Sequence, residues 1–145
     1  MEELWQLRSL IEHEQYDDAL ILVGELEEMS RDDKITKIES FLEILLLHLI
    51  KKHAEQRFTR SWQHSILNTV DTIKRLNKRR KAGGWYLTAD ELQEATEEIW
   101  MSTLRKASYE AFEGQYDVHE LSRMVHKDQV IAEALELITQ ENPDQ

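Results

Sequence analysis

Apolar side chains recur along this chain every three or four positions and never alternate over the length of a strand, so the pattern predicts helices throughout. Leu4, Leu7, Leu10 and Ile11 mark a first helix from about Glu2 to His13. The stretch "EQYDD" reads as a turn. Asp17 or Asp18 is placed to cap a second helix ending at Met29, with Ala19, Leu22, Val23 and Leu26 as its stripe. Ser30 or Asp32 then suits the cap of a third helix, Asp33 to about His53, striped by Ile35, Ile38, Leu42, Leu45 and Leu49. Through "FLEILLLHLI" (41–50) that helix is apolar nearly all round, which makes it the most buried one.

A fourth helix is expected from about Thr59 to Lys81, with Trp62, Ile66, Val70, Ile73 and Leu76 on one face. Gly83 or Gly84 in "AGGWYLT" suits a left-handed helix end. "TADE" (Thr88 to Glu91) matches a capping box and opens a fifth helix to about Phe112. After "EGQYD", the similar box Asp117 to Glu120 opens a short sixth helix to Val125. A seventh, about Asp128 to Thr139, carries Val130, Ile131, Ala134, Leu135 and Ile138. The expected fold class is therefore all-α: an antiparallel helical bundle of about four core helices, the second to the fifth, with additional short terminal helices. Residues 1–139 form a single helical domain in this reading, and 140–145 a polar tail.

Composition supports that picture and narrows the chemistry. One proline and four glycines among 145 residues are too few for a loop-rich fold. The absence of cysteine rules out disulfides and suits a reducing compartment, so a cytoplasmic location is expected. The most apolar run is ten residues long and contains Glu43 and His48, whereas a spanning helix needs about 20 apolar residues, so no membrane association is expected.

The net charge of −11 is unevenly spread. Residues 1–50 hold 4 basic and 13 acidic side chains, 51–81 hold 10 and 2, and 82–145 hold 4 and 14. The first expectation for the basic middle is neutralisation by acidic neighbouring helices. The alternative is a polyanion-binding patch of Arg60, Lys74, Arg75, Lys78, Arg79, Arg80 and Lys81. The surplus acid elsewhere opposes a nucleic-acid backbone, so nucleic acid is not an expected partner.

Candidate chemistry centres on "HLIKKHAEQRFTRSWQH" (48–64). His48 and His53 are five residues apart, about 140° around a helix, and cannot easily share a metal ion. No H-E-x-x-H element occurs, and no Glu lies three residues before any histidine, so neither a metal nor another cofactor is expected. No serine sits in a G-x-S-x-G elbow, and no phosphate-binding glycine loop is present. Arg57 and His64, separated by six residues, are similar in spacing to the R-x(4–6)-H motif of the HEPN superfamily. Many of its members are metal-independent ribonucleases in which His is the acid–base catalyst and Arg holds phosphate. Here Phe58 follows the Arg where that superfamily tends to place a polar residue.

"GELEEMSRDDK", "LLLHLIKK" and "RSWQHSI" together resemble domain-of-unknown-function family twenty-nine, a largely cyanobacterial group of helical proteins. Its pattern of an E-x-E helix, an "LLxHLLK" core helix and an "SW" pair falls here on Glu25 and Glu27, on Leu46, His48, Leu49 and Lys51, and on Ser61 and Trp62. The resemblance implies a helical fold and supplies no activity. It suggests a structural polar pair between Glu25 or Glu27 and His48 across a helix interface. From its place on the fourth helix, Trp62 is expected as a core anchor against Ile38, Leu42, Leu45 and Leu49.

The sequence thus points to a non-catalytic α-helical protein-interaction or regulatory module. The alternative is a HEPN-like, metal-independent RNA-processing nuclease using Arg57 and His64. The expected partner is an unidentified protein. A homodimer is also expected, because Leu67 and Met101 lie off the main stripes of their helices.

Overall fold

A single 40-residue helix, Tyr16–Glu55, is the axis of the fold in the computed structural model, which describes residues 2–79 and 83–140. We call it α2. Around it lie α1 (Glu2–Glu12), α3 (Arg60–Asn77), α4 (Ala89–Glu110), α5 (Val118–Ser122) and α6 (Lys127–Thr139), with a 3₁₀ turn at Ala111–Gly114. No strand occurs among the described residues; Lys78 and Trp85 form an isolated bridge. The fold is all-α, as the periodicity predicts.

The expected break at Ser30–Asp32 is not there. These residues are exposed and continue the helix, and Asp33 and Lys37 one turn on form an i,i+4 ion pair at 3.5 Å. Ser and Asp favour caps, yet they cost a helix interior only a few tenths of a kcal/mol, less than losing a turn of backbone hydrogen bonds. The stripe does change side. Ala19 and Leu22 are buried in the first half; Ile38, Leu42, Leu45, Leu46, Leu49 and Ile50 are buried in the second. At 100° per residue the two sets are about 160° apart, so α2 presents opposite sides to different neighbours.

That shift divides the molecule. α1 packs along the first half of α2 as a helical hairpin. Its turn is closed by Gln15 N–H to the Leu10 carbonyl at 2.8 Å with Glu14 left-handed, so the helix starts at Tyr16 and Asp17 and Asp18 fall inside its first turn. The contiguous core begins only at Ile38. It is shared by the second half of α2, by Ile66, Val70 and Ile73 of α3, by Leu104 and Ala107 of α4, and by Val130, Ile131 and Ala134 of α6, with Leu121 of α5 beneath them. The four bundle helices are therefore α2, α3, α4 and α6. The second helix of the sequence reading is an arm continuing α2, and the C-terminal helix takes its place in the bundle.

The connections follow their sequence signals. Gln56 in the left-handed region ends α2, and Thr59 caps α3 by accepting the Trp62 N–H at 3.1 Å. Thr88 with Glu91 and Asp117 with Glu120 form complete capping boxes. Gly83 and Gly84 are both left-handed in the turn that returns Tyr86 N–H to the Asn77 carbonyl at 2.8 Å. The buried Asn77 side chain clamps that turn. It donates to the Leu87 carbonyl at 3.0 Å and accepts the Leu87 N–H at 2.8 Å. α3 thus ends at Asn77, four residues short of the expected Lys81. The expected tail 140–145 lies outside the described residues beyond Gln140.

Candidate functional site

The last turn of α2, its exit loop and the N-terminal half of α6 enclose a cleft of about 540 Å³, lined by Lys52, His53, Arg57, Phe58, His126 and Glu133 among others. Neighbouring positions on α2 point Lys52 and His53 at one carboxylate. Lys52 Nζ lies 2.7 Å from Glu133 Oε1, and His53 Nε2 lies 2.5 Å from Oε2. Burial pushes the Glu133 carboxyl upward, but the hydrogen bonds and charges of Lys52 and His53 outweigh it and hold the group below the ordinary carboxylate value. Lys52 Nζ also stands 4.7 Å from the centre of the half-exposed Phe58 ring.

Chemically, this is an ionised carboxylate with both oxygens engaged. It ties α2 to α6, and among the described residues no serine, threonine or cysteine lines the cleft beside it. Among the described residues no group of three or more His, Asp or Glu is arranged to hold a metal ion. Nothing in the local sequence signals the tie, because its partners are 80 and 81 residues apart.

The residues singled out from the sequence are placed as follows. Arg57 lines the cleft, its guanidinium 5.0 Å from the centre of the Trp62 ring and 3.8 Å from Glu55. His64 does not line it. Trp62 and His64 are about 160° apart around α3, so Arg57, stacked on Trp62, sits on the other side of the helix from His64. There the His64 imidazole meets the Asn68 amide at 3.0 Å on an exposed face. The two residues of the nuclease motif are not brought together within one chain.

Trp62 is half-buried and lies outside the core cluster. Arg57 and Lys51, the latter at 5.2 Å, both approach its ring. The expectation of a core anchor is corrected: Ile66, Val70 and Ile73 of α3 lie in the core with α2, whereas Trp62, on the same side of the helix, is in its first turn at the edge of that contact and only half-buried.

The expected Glu25 or Glu27 contact with His48 is also overturned. All three residues are on α2, 23 and 21 positions apart, which is more than about 30 Å along one helix. Glu25 and Glu27 are exposed on the arm. His48 is half-buried, and its Nδ1 is buried without a hydrogen-bond partner. Burial, then the Lys51 charge, hold the imidazole below its ordinary pKa against the opposing pull of Glu110.

The basic segment is neutralised only in part: Lys52 pairs with Glu133, and Arg57 lies 3.8 Å from Glu55. Among the described residues, however, Arg60, Lys74, Arg75, Lys78 and Arg79 form no ion pair. Arg79 instead lies 5.8 Å from the Tyr86 ring. Arg80 and Lys81 lie outside the described residues.

No helix among the described residues is long and apolar enough to cross a membrane. Neither a curated protein nor a solved structure matches the chain. A family match does exist, described as "Domain of unknown function DUF29" and covering residues 6–133. With the helical architecture and the "LLLHLIKK" and "RSW" elements already placed on α2 and α3, that match shows that the chain belongs to the DUF29 family.

Proposed function

We propose that this protein is a non-catalytic α-helical interaction module in which the α1–α2 arm is the docking element and the bundle its support. One observation carries the reading. The arm buries only Ala19 and Leu22, while Leu4, Trp5, Ile11, Leu20 and Ile21 are about half to three-quarters exposed. An isolated 11-residue helix is marginal in water, and α1 buries no residue fully. Leu4, Leu7 and Ile11 line an open groove along it, flanked by the Arg8–Glu12 pair. Large apolar side chains left exposed along one arm support an interaction site there.

The separation of Arg57 from His64 supports the absence of a nuclease centre, and a cytoplasmic setting suits the cysteine-free composition. The test places a photo-crosslinking amino acid at Trp5 in the arm and, separately, at the equally exposed Tyr109 on the bundle. Irradiation of the native cells should give a discrete adduct from the arm position and none from Tyr109. Equal labelling of the two positions overturns the reading, as does chelator-resistant RNA cleavage that is lost in His64→Ala.

A further inference from the structure

We propose that the cleft between the end of α2 and α6 binds a small phosphate ester, with the phosphate on Lys52, Arg57 and His126 and a planar organic group against Phe58. This inference goes beyond the arm reading and does not depend on it.

Hydrogen-bonding capacity sets the sign of the ligand. Among the described residues Glu133 is the one carboxylate that lines the cleft, and both its oxygens are engaged, by Lys52 and His53. A cation entering the cleft would have to displace one of them. Donors remain in excess. After its bond to Glu133 the Lys52 ammonium keeps two N–H groups. The side chains of Arg57 and His126 make no hydrogen bond to the described residues. Glu55, 3.8 Å from Arg57, is beyond hydrogen-bond reach and does not line the cleft. α6 also begins here with no side chain capping its first turn, so its free N–H groups act in the same sense.

Local charge agrees. Residues 51–60 hold four basic side chains and one acidic, in a chain of net charge −11. A long polyanion meets the acidic remainder of the surface, whereas a small anion meets only the cleft. Two of the cations are ordered before any ligand arrives. Lys52 Nζ stands 4.7 Å from the centre of the Phe58 ring, and the Arg57 guanidinium 5.0 Å from that of Trp62. Stacking of this kind restricts long side chains and lowers the entropy lost on binding.

The arrangement of the donors favours phosphate over carboxylate. Lys52 comes from the last turn of α2, Arg57 from the loop after it and His126 from the start of α6. A tetrahedral phosphate offers oxygens in several directions, whereas a planar carboxylate is satisfied by a single guanidinium. The volume of about 540 Å³ exceeds a phosphate ion and lies in the range of small-molecule sites. Phe58, 44% exposed, and the neighbouring Met124 and Val125 supply an apolar wall for the rest of the ligand.

Isothermal titration of the full chain with phenyl phosphate, inorganic phosphate and benzoate tests the proposal. Phenyl phosphate should bind once per chain, about tenfold or more tighter than either of the others, and should raise the thermal midpoint. Arg57→Gln, at an exposed loop position, should keep the helicity of the parent and weaken phenyl phosphate and inorganic phosphate alike, about tenfold or more. Phe58→Ala should weaken phenyl phosphate and leave inorganic phosphate within about twofold. Glu133→Gln removes the lining negative charge and should bind phenyl phosphate at least as tightly as the parent.

Absence of phenyl phosphate binding at about 10 mM overturns the proposal. Binding that is unchanged in Arg57→Gln overturns the assigned site. Benzoate bound as tightly as phenyl phosphate overturns the phosphate class, and inorganic phosphate bound as tightly overturns the contact with Phe58. Loss of binding in Glu133→Gln, with the variant still folded by circular dichroism, overturns the anionic sign of the ligand.

Discussion

Replacing Glu133 by Gln keeps the shape of the side chain and removes its charge, which isolates what the tie between α2 and α6 contributes. Two contacts are affected, at 2.7 Å from Lys52 and 2.5 Å from His53, and all three side chains are between a quarter and a third exposed. A charge-assisted hydrogen bond is worth about 1.5–3 kcal/mol when dry, and an exposed ion pair about 0–1 kcal/mol. Water reaches these groups, so the two contacts together should contribute about 1–2 kcal/mol at neutral pH.

The pH dependence gives the sharper test. The Glu133 carboxyl is held below its ordinary value of 4.5. Between the two values the unfolded chain binds more protons than the folded one, so stability rises with pH. The contribution is complete above about 4.5 and is lost as pH falls through the lower folded value. Urea titrations of the parent and Glu133→Gln should therefore differ at neutral pH and converge in acid, with unchanged denaturant slopes. A difference that stays constant from neutral pH to below 4 would refute the assignment of the stabilisation to this carboxylate.

Three further outcomes are expected. Asn77→Ala removes two hydrogen bonds and orphans the N–H and carbonyl of the buried Leu87, so it should cost about 2–4 kcal/mol in urea unfolding and speed hydrogen exchange at Leu87. His48→Leu removes a buried, unpartnered nitrogen. Because the folded imidazole is held below 6.5, the parent loses stability as pH falls through that value, whereas the variant should be at least as stable at neutral pH and flatter below it; parallel thermal midpoints from about pH 7 to about pH 5 would contradict this. Trp62→Ala, at the edge of the α2–α3 interface rather than in it, should cost about 1–2 kcal/mol, against about 3–5 kcal/mol for a fully buried aromatic, as read from thermal unfolding.

What the sequence makes legible here is local. The capping boxes at Thr88 and Asp117 appear as read, because a short polar side chain three residues before a glutamate, placed straight after a break, satisfies the free N–H groups of a starting helix. Most of the apolar run at 41–50 lies in the core, with Leu42, Leu45, Leu46, Leu49 and Ile50 fully buried, while Ile44 on the remaining side stays 40% exposed. The site is different. Lys52, His53 and Glu133 meet only because α6 returns to the end of α2, and no spacing within either helix records that. The Glu25–His48 contact failed for the same reason in reverse. It required a turn between the two residues, and the helix runs straight through.

That single misplaced turn links fold and function. A reading by periodicity follows which side of a helix is apolar, and when the side changes by about 160° it infers a new helix. The backbone, meeting neither proline nor glycine between Glu25 and Glu55, has no reason to stop. A helix whose apolar face switches sides cannot bury both halves in one core, so one half must leave it. The core can take only the half that carries Ile38 to Ile50, since that half is apolar enough to meet three other helices. The other half is left with α1 as cover on one side and with Leu20, Ile21 and Gly24 uncovered on the other. The exposed arm is thus a direct consequence of two out-of-phase stripes on an unbroken helix. Bringing the stripes into phase by deleting two residues near Ser30, about 200° of rotation, should turn α1 toward the bundle and abolish any assembly that depends on the present arrangement.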